Sequence, residues 1–250
     1  MKKIYILPNL VTTANLVCGF LSMVHAYKGE FQRASWFIII AAICDLLDGR
    51  IARFARATSP FGVQYDSLAD LTSFGIAPAF MLFAFSLHDF PRFGVSAAAF
   101  YGVCAALRLA RFNVSAEETD PVKLKKLRKG YFQGLPSPAA AGLVVTTVLV
   151  QTEFDLFRVE SLKFFMTGLG ILLAALMVSS IPFPSFKEVN WRSKGKAWVL
   201  LIPLLFILSV IQAPELTLFT TGYLYLVGGL LWAAYLCKLK EKNGGVNGVH

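Results

Sequence analysis

Apolar residues in this chain come in long unbroken blocks, not in the short periods of soluble helices and strands. Eight blocks can be drawn, approximately Leu10–Tyr27, Ala34–Ala52, Ser67–Leu87, Gly94–Phe112, Pro138–Thr152, Leu162–Ile181, Ala197–Ala213 and Leu216–Cys237. Most approach the roughly 20 residues that carry a helix across about 30 Å of hydrocarbon; the block from Pro138 is the shortest. The pattern predicts an all-α, polytopic membrane protein with about eight transmembrane helices, forming one integral membrane domain over residues 1–250. The seventh and eighth blocks, about 197–238, are poor in intramembrane polar residues. They read as an addition to a six-helix unit of about 8–181.

The polar intervals orient the blocks. If the amino terminus is cytoplasmic and the blocks alternate, only Lys28, Arg33, Arg92, Arg158 and Lys163 of the 24 lysines and arginines fall outside. That bias is the positive-inside pattern, and it puts both termini in the cytoplasm. The basic loop through Lys123, Lys125, Lys126, Arg128 and Lys129 and the loop from Pro182 to Lys196 are then internal, and the tail Asn243–His250 reads as disordered. With 56% apolar residues a soluble fold is excluded, and topology explains most of the net charge of +9. Attraction to anionic lipids accounts for more of it, so no nucleic-acid partner is needed. Cys18, Cys44, Cys104 and Cys237 stand singly inside blocks, which suggests neither disulfides nor a zinc site. The first block is long for a cleaved signal and lacks a clean cleavage site.

Against this background four acids demand a reason. A charge inside a transmembrane helix costs roughly 2.5–3.5 kcal/mol on insertion scales. Asp45 and Asp48 are three apart near the cytoplasmic end of the second block, and Asp66 and Asp70 are four apart at the start of the third, so each pair shares a helix face. A short loop broken by Pro60 and Gly62 makes the two blocks antiparallel neighbours, with both pairs at one depth. Four clustered carboxylates require neutralising cations. Arg50, Arg53 and Arg56 could supply a purely structural salt-bridge cluster. The oxygen-only ligand set alternatively suits Mg²⁺ or Mn²⁺, which bind few carboxylates together with substrate phosphates. Gly49, Ala52 and Gly62 leave room beside the acids, and Arg53 could hold a diphosphate oxygen. His25, His88 and His250 lie away from this face.

The run Asp45-Leu-Leu-Asp48-Gly49-Arg-Ile-Ala52-Arg53, followed by Gly62-Val-Gln-Tyr-Asp66-Ser-Leu-Ala-Asp70, resembles the CDP-alcohol phosphotransferase signature at every fixed position. The resemblance implies a dimeric membrane enzyme with a six-helix core and a two-metal site facing the cytoplasm. Its expected reaction moves a phosphoalcohol from a CDP-linked donor to a hydroxyl, with release of CMP. It implies that Asp45, Asp48, Asp66 and Asp70 ligate two divalent ions, Asp70 also serving as general base. Gly49, Ala52, Arg53, Ser59 and Gly62 would contact the CDP-lipid, joined by Asn9 and Thr12 from an amino-terminal Asn-x-x-Thr pattern.

Further stretches resemble the phosphatidylserine synthase branch of that family: Pro8-Asn9-Leu-Val-Thr12 with Asn15-Leu-Val-Cys-Gly19-Phe, Ser73-Phe-Gly75-Ile-Ala-Pro78, Leu107-Arg108-Leu-Ala-Arg111-Phe-Asn113, and Tyr131-Phe-Gln-Gly134-Leu-Pro136-Ser137-Pro138. This implies CDP-diacylglycerol as donor and L-serine as acceptor. The amino terminus reads without a transit peptide, so a bacterial inner membrane is the expected home, with an archaeal source as the alternative. Serine carries a carboxylate that arginine forks well, so Arg108 and Arg111, with Asn113 and the turn Gly134, Pro136 and Ser137, are the candidate acceptor residues. Positive-inside anchoring and proline helix initiation are the structural alternatives for these positions. Glycerol 3-phosphate or inositol phosphate are the rival acceptors. A secondary transporter with an intramembrane carboxylate relay is a remote alternative, since the acids lie at one face instead of the midplane.

Overall fold

The computed structural model describes residues 6–54, 59–88, 90–117, 131–155, 159–184 and 196–244. Arg56, Arg158, the basic loop from Lys123 to Lys129 and the tail beyond Gly244 lie outside the described residues. Eight helices appear among the described residues: α1 (Ile6–Tyr27), α2 (Phe31–Phe54), α3 (Pro60–Leu87), α4 (Pro91–Glu117), α5 (Ser137–Phe154), α6 (Val159–Val178), α7 (Lys196–Gln212) and α8 (Pro214–Gly244). The last reaches Gly244, so the start of the expected tail is helical.

Five of these helices are long and apolar enough to cross a membrane by that measure alone: α1, α3, α4, α6 and α8. The protein is a multi-pass helical membrane protein. The other three fall short for separate reasons. Asp45 and Asp48 charge the end of α2, Thr146, Thr147, Gln151 and Glu153 dilute the 18 residues of α5, and α7 has only 17 residues. At 1.5 Å per residue α5 is about 27 Å long. It is nevertheless the most enclosed helix, buried nearly all round from Ala140 to Gln151 and packed against α2, α3, α4, α6 and α8. A helix apolar on every side belongs in such a central place.

Two expectations are corrected here. The third helix starts at Pro60, not Ser67. Ser59 caps it, its Oγ accepting the Gly62 N–H at 3.0 Å, and Pro60 takes the first turn, where a missing N–H costs nothing. Asp66 and Asp70 therefore lie in the second and third turns of an established helix. Immediately after Asp70 the helix widens into a π-turn over Leu71–Ile76, with the Ala77 N–H bonded to Thr72 O, and this turn buries Ser73, Phe74 and Gly75.

The second correction is a strand pair in a chain expected to be all helix. β1 (Tyr131–Gln133) and β2 (Pro182–Pro184) pair antiparallel, Phe132 opposite Phe183. Strands of three residues, one of them bounded by prolines, carry no alternation long enough to read from sequence. The hairpin-like pair sits beside the carboxyl end of α6. The Gly134 N–H bonds Ile181 O at 2.9 Å and the Leu135 N–H bonds Leu176 O at 3.0 Å.

Helix α1 organises the rest. Pro8, Thr12, Asn15, Gly19, Ser22 and Ala26 are all buried and recur every three to four residues, so the inward stripe is small and polar while Leu10, Val17 and Phe20 face outwards. Small inward residues let membrane helices approach closely. A Cβ on Gly19 would stand 2.5 Å from Ser73 Oγ, and that hydroxyl donates to Asn15 O at 2.9 Å.

Candidate active site

The four aspartates converge by an arrangement that the short α2–α3 loop does not suggest. Helix α2 packs along α1 and meets α3 chiefly along Leu71–Leu82, past the acids, whereas the first turns of α3 pack on α1. The carboxylates thus face one another across a space flanked by α1. Carboxylate oxygens of Asp45, Asp48 and Asp66 lie within 4.8 Å of one another.

Helix α1 fixes these acids individually. Thr12 Oγ1 donates to Asp48 Oδ2 at 2.8 Å, and Asn15 Nδ2 donates to Asp70 Oδ1 at 3.2 Å. At the next residue after Thr12, the hydroxyls of Thr13 and Tyr65 meet at 2.9 Å and tie α1 to α3 beside Asp66. Thr12, expected against the donor, is placed on an acid. Asn15, which the sequence marks only as part of a motif, is fully buried and holds Asp70. The signal that could have found it is the polar stripe through Asn9, Thr12, Asn15 and Ser22 on an otherwise apolar helix.

The acids and a divalent cation fit each other. Among the described residues, no arginine or lysine pairs with any of the four aspartates, and the ion pairs shown are those of Glu30 with His25 and Arg33. The structural salt-bridge alternative therefore finds no support from Arg50 or Arg53. Asp66 Oδ1 is buried with no hydrogen-bond partner. A buried carboxylate oxygen without a donor needs a counter-charge, and three converging carboxylates without nitrogen or sulfur ligands suit a hard ion.

The positions expected to meet a CDP-lipid border the same space. Gly49 is exposed, and a Cβ there would meet nothing within 4 Å, so none of the described helices packs on it. Ala52 is partly exposed in the next turn. Arg53 is exposed, its Nε donating to Gly49 O at 2.9 Å. Asn9 lies beside Gly62 and Ser59 at the start of α3, where a Gly62 Cβ would sit 3.5 Å from Asn9 Oδ1. His25 is at the opposite end of α1 and His88 at the far end of α3, clear of the acids.

The expected acceptor residues separate into distinct roles. Arg111 is engaged by backbone: Nη1 donates to Val178 O at 2.9 Å, and Nη2 to Gln133 O at 3.0 Å, Ser179 O at 3.2 Å and Met177 O at 3.3 Å. It caps the carboxyl end of α6, where a cation complements orphan carbonyls. Gly134 belongs to that clamp, at φ +78°, with room for a Cβ closed by Met177 O at 2.5 Å. Asn113 Nδ2 donates to Ser67 Oγ at 2.9 Å, joining α4 to α3 next to Asp66. Pro136 caps α5 and Ser137 opens it.

Arg108 differs from all of these. Only 8% exposed, it donates through Nη1 to Ser137 Oγ at 2.9 Å, while its Nε is buried without a partner. It lies close enough to Asp70 for their charges to interact. A buried guanidinium with donors to spare stands beside an oxygen-rich acid site.

Comparison with known proteins agrees with this layout. The family model for CDP-alcohol phosphatidyltransferase matches residues 5–181. The chain is similar to a protein of Helicobacter pylori (strain J99) named CDP-diacylglycerol--serine O-phosphatidyltransferase, 36% identical over 96% of each chain. Proteins of the same name from Mycobacterium leprae (34% identical, over 90% of this chain and 73% of the relative) and Bacillus subtilis (30%, over 73% and 92%) are also similar. With its acid pairs intact and most of its length matched, the chain belongs to the CDP-alcohol phosphatidyltransferase family.

Proposed function

We propose that this protein transfers the phosphatidyl group of CDP-diacylglycerol to the hydroxyl of L-serine and releases CMP. The observation that carries the reading is the buried, incompletely paired guanidinium of Arg108 within charge range of Asp70. Such a group supplies the fork that a substrate carboxylate requires. The names of the relatives support serine as the acceptor.

In this reading Arg108 holds the serine carboxylate and thereby sets the hydroxyl towards Asp70. Asn15 holds Asp70 Oδ1, and Asp70 takes the hydroxyl proton as oxygen attacks the phosphatidyl phosphorus. The bond from that phosphorus to the CMP oxygen breaks, and CMP leaves with the bonding pair. Two divalent ions, Mg²⁺ or Mn²⁺, held by Asp45, Asp48, Asp66 and Asp70, would neutralise charge on the diphosphate. Asn9, Gly49, Ala52, Arg53, Ser59 and Gly62 line the donor side, with Thr12 acting through Asp48. Arg111, Gly134 and Pro136 serve the acceptor side by holding the turn that presents Ser137.

The reading includes eight spans, with residues 8–181 as the catalytic core and 197–238 as an addition, in agreement with the extent of the family match. It also includes a homodimer in a bacterial inner membrane, with the acids facing the cytoplasm as the lysine and arginine distribution favours. The test is CMP release by purified protein given CDP-diacylglycerol, a divalent metal and labelled serine, glycerol 3-phosphate or inositol phosphate. Release with serine is expected. Release only with a phosphorylated alcohol would transfer the reading to that acceptor.

A further inference from the structure

The family match ends at residue 181, but α8 does not remain at the periphery. It packs on β2 and on α5. Tyr223 and Thr147 join their hydroxyls at 2.9 Å, and the Tyr225 ring lies 6.1 Å from that of the fully buried Phe183. Tyr225 also lines an apolar cavity of about 220 Å³ whose wall includes Pro138, the residue after the Ser137 that Arg108 bonds. Its hydroxyl end lies within electrostatic range of the Arg108 guanidinium.

Arg108 is held on one edge by Ser137, while its Nε edge has no hydrogen-bond partner. A long side chain with one anchor keeps several orientations, and a fork that must meet a carboxylate needs one. The polar tip of Tyr225 is a neighbour from a different helix, set in a wall that is apolar apart from Thr146, whose hydroxyl is turned to the Gly142 carbonyl. Phe183 and the β1–β2 pair fix its ring, so the position of the tip is determined by packing.

We infer that α8 is part of the acceptor pocket, and that Tyr225 is a positioning residue which orients Arg108 for the carboxylate of the acceptor. The inference rests on serine as the acceptor of the proposed reaction. It makes the segment beyond the matched family region a determinant of acceptor affinity, without a role in metal or donor binding.

Tyr225→Phe keeps the ring and its packing on Phe183 and removes only the hydroxyl. The expected result is a rise in the KM for serine on the order of tenfold, the low end for one hydrogen bond to a charged group. The kcat, the KM for CDP-diacylglycerol and the Tm should stay unchanged. In an Arg108→Lys background, assayed at high serine, the same substitution should have little further effect. An unchanged serine KM in Tyr225→Phe overturns the inference. So does a parallel rise of both KM values with a lowered Tm, which marks packing alone, or full independence of the two substitutions. If the wild-type protein releases no CMP with serine, the reaction assigned to it fails first, and that result is read before any variant.

Discussion

Arg108 and Arg111 stand three residues apart on the same helix, and their surroundings make them opposites. Arg111 donates to four main-chain carbonyls and joins the end of α6 to β1. Arg108 is more deeply buried, bonds one serine hydroxyl and leaves Nε unmatched. A cation whose donors are used by the backbone is a structural fastening. A buried cation with donors left over raises the cost of folding and is retained where a ligand completes it. The aspartates belong with Arg108 in this respect: they converge with no ion pair to a lysine or arginine among the described residues, and one oxygen of Asp66 has no donor. Unsatisfied charge of both signs is concentrated in one place, and the clamp beside it is saturated.

The largest effect should come from the unsatisfied side. Asp70→Asn keeps size and the contact with Asn15 but removes the proton acceptor, so kcat should fall by roughly 10²–10⁴-fold while donor and metal still bind. Binding of CDP-diacylglycerol measured with Mn²⁺ present separates the two. If kcat falls less than tenfold, Asp70 is not the base.

The arginines give the sharpest contrast. Arg111→Ala should lower stability by about 3 kcal/mol, since several carbonyls lose a charged donor, seen as a lower Tm in detergent. Arg108→Met should leave the Tm unchanged or raise it, because an incompletely paired buried charge is removed, and yet abolish turnover with serine at ordinary concentrations. Equal Tm losses in both variants would erase the distinction.

Gly134→Ala tests the clamp from the other side. At φ +78°, and with Met177 O closing the space, it should cost about 1–3 kcal/mol with little change in the KM for serine among molecules that fold. A large rise in that KM at normal Tm would move the turn into the substrate site.

The smallest effect lies at the other end of α1, where half-buried Glu30 meets His25 and Arg33. Its hydrogen bonds to these two hold the carboxyl below its ordinary value of 4.5. A lowered pKa stabilises the fold above the unfolded value, and the contribution is lost as pH falls through the folded one. The small Tm advantage of wild type over Glu30→Gln should therefore shrink below about pH 4.5, and serine turnover near neutral pH should be the same in both.

Legibility in the sequence differed sharply along the chain. The acid pairs of α2 and α3 stood out because a charge in an apolar block is costly, and local spacing was enough to put each pair on one face. The polar stripe of α1 is equally present in the letters, and Thr12 belongs to the Asn-x-x-Thr pattern, but Asn15 acquires its meaning only from Asp70 on another helix. The strand pair was invisible because three residues carry no period. Nothing local singles out Tyr225, since its neighbours Phe183 and Arg108 are distant in sequence.

By itself the sequence determined the membrane class, the succession of apolar helices, the family and the acids, because hydrophobic length and helical spacing are local properties of the chain. Tertiary structure decided how the acids meet, with α1 flanking the gap between α2 and α3, and which of two equally spaced arginines is a fastening. That choice depends on where the carbonyls ending α6 lie relative to α4. Hydrogen-bond satisfaction is a sum over neighbours from the whole fold, and no local pattern encodes it.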